Sequence, residues 1–110
     1  MKQDSSISPS PEIDCVGRLK VLAEPTRLQV MRLLLQGALH AGEIQERLGV
    51  EQTLLSHHLR VLREANLVQS ERDGKAVLYR VAPGVTVPRT GEALDLGCCV
   101  LAFDDGIKGA

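Results

Sequence analysis

Between residues 10 and 65, apolar side chains recur three and four positions apart, the spacing of amphipathic helices. After Asn66 the pattern changes to short β-rich runs separated by turn residues. Residues 1–9, MKQDSSISP, have no periodicity and are expected to form a disordered tail. A first helix is predicted from Ser10-Pro11-Glu12 to about Ala23. It would start with a hydroxyl cap, a proline suited to the first helical position and an acid favoured by the helix dipole. Its apolar face carries Cys15, Leu19, Leu22 and Ala23. A second helix starts at Pro25 and ends at Gly37, with Leu28, Met31, Leu34 and Leu35 on one stripe. AGEIQERLGV predicts a third helix of roughly two turns, stopped by Gly49. A fourth is predicted from Gln52 to Ala65, with Asn66 suited to the left-handed position after its end.

A short helix, a few linking residues and a longer helix make a helix-turn-helix pattern. The run LVQSERDGKAVLYRV then holds two strand-like segments around Asp73-Gly74, a dipeptide that type I′ hairpins favour. Breaks at Pro83-Gly84, Pro88 and Gly97 leave room for one short helix, near Arg89 to Leu96. The fold class expected is therefore mainly α with a β-hairpin wing, an α+β winged helix-turn-helix. It divides into a tail at 1–9, a winged domain at 10–82 and a C-terminal segment at 83–110.

The predicted fourth helix has two distinct faces. One half of the cylinder carries Leu54, Leu55, His58, Leu59, Val61, Leu62 and Ala65 and is expected to be core. The other half carries Gln52, Thr53, Ser56, His57, Arg60, Arg63 and Glu64. Short hydrogen-bonding groups near a helix N-terminus, followed by arginines, suit base edges first and phosphates further along, although a plain solvated face has the same look. The neighbouring hairpin, with Arg72 and Lys75 at its tip, fits a wing that reaches flanking DNA backbone. His57 is on the outward face, while His58 sits among leucines as a hydrogen-bonded core histidine.

Composition narrows the class. The 110 residues hold one small domain, with 44% hydrophobic residues but a single Phe, a single Tyr and no Trp, so Leu, Val, Ile and Ala must build the core. A net charge of −1 argues against nonspecific coating of nucleic acid and leaves a local basic face open. No run is long and apolar enough for a membrane span and no signal-peptide pattern is present, so a cytoplasmic protein without membrane contact is expected. Three cysteines, an odd number, argue against a structural disulfide framework in a reducing compartment.

VLAEPTRLQVMRLLLQG, LLSHHLRVLREANLV and ERDGKAVLYRV together resemble the ArsR/SmtB family of winged helix-turn-helix repressors, over residues 15–82. The resemblance implies a homodimer that binds a double-stranded, inverted-repeat DNA operator. It implies release when a metal or metalloid, or in some members an oxidant or sulfur species, reaches the protein's cysteines. Gln52, Thr53, Ser56, His57 and Arg60 match the family's DNA-reading positions, and Arg72 and Lys75 match its wing. Family sites built from Cys-x-Cys at the third helix are absent, because His40 and Gly42 stand there. Those built from Asp and His on a C-terminal helix are absent too, because the tail offers only Glu92 and Asp95. GCC, residues 97–99, resembles a C-terminal vicinal-cysteine variant found among arsenic sensors.

Cys15, Cys98 and Cys99 together supply three soft thiolates, the number that trivalent As(III) or Sb(III) accepts in a pyramidal arrangement. Cd(II), Pb(II) and Cu(I) also suit thiolates, whereas zinc would need a fourth ligand such as His40. A redox- or sulfide-responsive repressor is the alternative, and Cys15 could instead be a small buried hydrophobe. As(III) is expected as an inducer, with no organic cofactor. The chain is not expected to be an enzyme: Cys-x-x-Cys, a βαβ pattern and a phosphate-cradling glycine loop are all missing.

Overall fold

The computed structural model describes residues 11–87 and 92–103. The expected tail at 1–9 and the Ser10 cap lie outside the described residues. Four helices come first: α1 (Pro11–Leu22), α2 (Pro25–Leu34), α3 (Ala41–Leu48) and α4 (Gln52–Glu64). Strand β1 (Leu39–His40) precedes α3, and β2 (Val68–Asp73) and β3 (Ala76–Val81) follow α4. A C-terminal pair, β4 (Ala93–Asp95) and β5 (Val100–Ala102), completes the described chain.

The helix boundaries follow local chemistry. Glu24 caps α2 by accepting the Arg27 N–H at 2.9 Å, and Pro25 takes the first helical position. Glu51 caps α4 in the same way, accepting from Leu54 N at 3.0 Å. Asn66 adopts the left-handed backbone expected of it, with φ 61°, and turns the chain from α4 into β2.

Val30, Met31 and Leu34 of α2, Ile44 of α3, and Leu55, Leu59 and Leu62 of α4 form one buried cluster. Burying a Leu or Ile side chain contributes about 1.5–3 kcal/mol, so this seam fixes α4 against α2 and α3. The expected face needs one change: Leu54 is 48% exposed at the start of α4. His58 is buried as expected, but it is not hydrogen-bonded. Its Nδ1 has no partner among the described residues, and Nε2 stands 3.9 Å from a Glu24 carboxylate oxygen. On α1, Cys15 and Leu22 are buried while Leu19 and Ala23 are exposed.

The wing is an antiparallel sheet of order β1-β3-β2. Asp73 pairs with Ala76, so the two-residue turn is Gly74-Lys75 rather than Asp73-Gly74. Among its central residues only Gly74 has positive φ, at 68°, which is the type II′ pattern rather than the expected type I′. Strand β1, too short to leave a periodic signal, adds a third strand.

The C-terminal segment departs from expectation. Part of the predicted helix near Arg89 to Leu96 lies outside the described residues, and its remainder is β4, paired with β5 in the register Leu94↔Leu101. A single bridge, Thr86↔Leu94, joins this hairpin to the preceding loop. Leu94 and Leu96 are buried in the same core as the helices, and Phe103 lies 5.7 Å beneath the Arg32 guanidinium of α2.

Candidate nucleic-acid interface and thiol site

Gln52, Thr53, Ser56, His57 and Arg60 are all exposed on α4, opposite the buried Leu55, His58, Leu59 and Leu62. Thr53, Ser56, His57 and Arg60 line an open cleft of about 430 Å³ together with Arg63 and Tyr79. Gln52 is not among its lining residues, and Arg72 and Lys75 stand apart at the exposed wing tip. Tyr79 was not singled out by the sequence pattern. Its signal was only its place on the inner strand of the wing, opposite Ser70 and Leu39.

The wing's acids are engaged within the protein. Glu71 accepts from Arg80 Nη1 at 2.9 Å, which lowers its pKa. Asp73 meets His40 Nε2 at 2.7 Å, while His40 Nδ1 stands 3.1 Å from Glu43. Asp73 first, then Glu43, raises the His40 pKa by stabilising the imidazolium. Arg72 and Lys75 have no acidic partner among the described residues, so both cations stand unpaired at the tip. At the α4 N-terminus the Glu51 carboxylate is held down in pKa, mainly by the Leu54 N–H and then by the Thr53 N–H.

Cys15, Cys98 and Cys99 converge. Their Sγ atoms all lie within 4.8 Å of one another in a single chain. Cys15 is 1% exposed on α1, whereas Cys98 and Cys99 are exposed on the turn between β4 and β5. That turn is closed by Leu96 N–H donating to Cys99 O at 2.9 Å and by Gly97 N–H donating to Asp95 Oδ1 at 2.9 Å. Gly97 has φ 99°, a conformation that a residue with a Cβ avoids. One helical turn after Cys15, Arg18 Nη1 donates to Leu96 O at 3.4 Å, a second tie between α1 and the turn.

Cys15 and Cys98 form a disulfide with Cα atoms 6.0 Å apart. Cys99 is the free thiol, 4.0 Å from Cys15 Sγ and 3.6 Å from Cys98 Sγ. Those two separations are close to the distance of about 3.8 Å between sulfurs that share one ion through bonds of about 2.3 Å, and reduction of the Cys15–Cys98 bond would make all three sulfurs available as thiolates. Among the described residues no carboxylate or imidazole belongs to the group, and His40 is engaged by Asp73 and Glu43 instead. The donor set therefore fits a three-coordinate thiophilic ion better than zinc.

Helix α3, α4 and the β2–β3 hairpin together define a winged helix-turn-helix. Residues 24–70 match the family described as "Bacterial regulatory protein, arsR family". The biofilm growth-associated repressor of Agrobacterium fabrum is 44% identical over 64 residues, covering 58% of this chain and 55% of that protein. The probable mercury resistance operon repressor of Streptomyces lividans is 34% identical over 83 residues, covering 76% of this chain and 63% of that protein. The solved structure of HlyU from Vibrio cholerae superposes with a TM-score of 0.66 at 32% identity, over 70% of this chain and 84% of that one. The chain belongs to the arsR family. It spans just over half the length of the curated relatives it matches first, 55% in each case. Among the described residues, no helix is long and apolar enough to cross a membrane.

Proposed function

We propose that the protein is a DNA-binding transcriptional repressor whose affinity for its operator is set by Cys15, Cys98 and Cys99, with As(III) or the similar Sb(III) as the releasing ligand. The observation that carries this reading is the convergence of three Sγ atoms within one chain. Bound there, the ion would supply a compact clamp of three thiolate bonds. In the reduced protein, Cys98 and Cys99, exposed on a turn, are the accessible donors, and buried Cys15 completes the set from α1.

The chain's own contacts offer a route from that clamp to DNA. Cys15 and Arg18 tie α1 to the β4–β5 turn, α1 packs on α2, and α2 packs on α4. A change in how firmly α1 and the hairpin are held therefore bears on the placement of α4. A coupling of about 1–3 kcal/mol would be enough for a switch of this type. Gln52, Thr53, Ser56, His57 and Arg60 would meet the major groove, with Arg72 and Lys75 on the flanking backbone. A homodimer on an inverted repeat fits the exposed apolar side chains Val16 and Leu19 of α1. The cytoplasm, where thiols stay reduced, fits the chemistry.

The Cys15–Cys98 disulfide favours a second reading. In it an oxidant such as peroxide takes two electrons from the Cys15 and Cys98 thiols, the disulfide forms, and water carries away the protons and oxygen. The two readings separate in a thiol count on the reduced protein titrated with arsenite. Protection of all three cysteines by a near-stoichiometric amount supports the metalloid reading. Three thiols that remain freely reactive overturn it.

A further inference from the structure

The cleft between α4 and the wing contains two residues that the DNA-reading positions leave unused, Arg63 and Tyr79. Arg63 lies eleven residues beyond Gln52, about 16 Å along the helix axis. That is too far from the N-terminal turns to share their base edges, and it is turned about 80° from Thr53 toward the wing. Tyr79 comes from the opposite side. Its ring packs against the core from the inner strand of the sheet, and its hydroxyl has no hydrogen-bond partner among the described residues.

The electrostatics of the cleft are one-sided. Among the described residues its lining has two guanidinium groups, a phenol, two aliphatic hydroxyls and an imidazole, and no carboxylate. Neither Arg60 nor Arg63 has an acidic partner among the described residues, whereas Arg80, next to Tyr79 in sequence, is occupied by Glu71. A planar guanidinium and a hydroxyl donor that line one cleft suit an anion with several acceptor oxygens.

We propose that Arg63 and the Tyr79 hydroxyl grip one DNA backbone phosphate at the edge of the major groove, fixing the register of α4 against the wing. This inference rests on the DNA-binding reading above and adds a positioning contact to it. Phosphate contacts of this kind set orientation and carry no sequence information themselves.

The test uses the full-length protein and a duplex that it selects from a random pool. Tyr79→Phe, which lacks only the hydroxyl, is expected to bind about 10-fold more weakly, to the selected duplex and to unrelated duplexes alike. Arg63→Ala should also weaken binding uniformly and reduce the salt dependence by about one unit of log–log slope. Single phosphates of the selected duplex are then replaced by uncharged methylphosphonate. At one position wild type should lose more affinity than Tyr79→Phe, which keeps only the Arg63 contact there, and the double variant Arg63→Ala/Tyr79→Phe should lose nothing further. Binding by Tyr79→Phe equal to that of wild type, or a scan that costs both proteins alike at every position, overturns the proposal. If wild type selects no duplex at all, the DNA-binding reading itself fails.

Discussion

Cys15 in α1 and Cys98 in the β4–β5 turn, 83 positions apart, are joined by a disulfide whose closed loop encloses the entire winged helix-turn-helix. A cross-link over so long a loop removes much of the unfolded chain's freedom. Reduction is therefore expected to lower the unfolding free energy by about 2–4 kcal/mol. Urea titrations with and without a reductant measure this, and Cys98→Ser should match the reduced wild type. Alkylation before reduction should label Cys99 alone among the three cysteines, and afterwards all three.

The acid-base behaviour of the wing turns on His40. Held between Asp73 and Glu43, its pKa is raised, so its stabilising contribution is full below the unfolded-state value of about 6.5 and is lost as pH rises through the folded value. In an NMR titration, Asp73→Asn should lower the His40 pKa, and an unchanged value would contradict the contact. His58 has the opposite sign. Burial lowers its pKa, so its contribution is full above about 6.5 and is lost as pH falls through the folded value. His58→Gln should accordingly flatten the loss of stability on the acid side, read from urea midpoints across the pH range.

On DNA, the wing and the recognition helix should separate experimentally. Arg72→Ala and Lys75→Ala are each expected to weaken binding to all duplexes and to reduce the salt slope by about one. His57→Ala and Thr53→Ala should instead change which duplexes are selected, because base-edge contacts are worth about 1–3 kcal/mol of discrimination. A repeated selection with each variant, together with salt titrations, distinguishes the two classes.

The helical part of this fold was legible because its signals are local. Pro25, Gly49 and Asn66 mark boundaries, and a 3.6-residue period marks the buried faces of α2, α3 and α4. The C-terminal hairpin was not, because Pro88 and Gly97 look like loop punctuation and each strand has only three residues. Its one trace is the step from buried Leu94 to exposed Asp95 to buried Leu96. Leu54 was misplaced because periodicity gives a direction around a helix and does not say where the neighbouring elements stop covering it. For the thiol site, the sequence supplied the three residues. Their meeting within one chain depends on a contact across 83 positions, which no local pattern encodes. Tyr79 escaped notice for the same reason, since its cleft exists only when β3 lies beside α4.

The most direct test of the account is fluorescence anisotropy of a labelled, selected duplex bound by the reduced protein and titrated with arsenite. Wild type is expected to release the duplex at near-stoichiometric arsenite, while Cys99→Ser, which binds DNA equally well but cannot complete the three-thiolate set, keeps it. If peroxide releases the duplex from Cys99→Ser as readily as from wild type while arsenite releases neither, then the Cys15–Cys98 pair is the switch and the metalloid assignment is wrong.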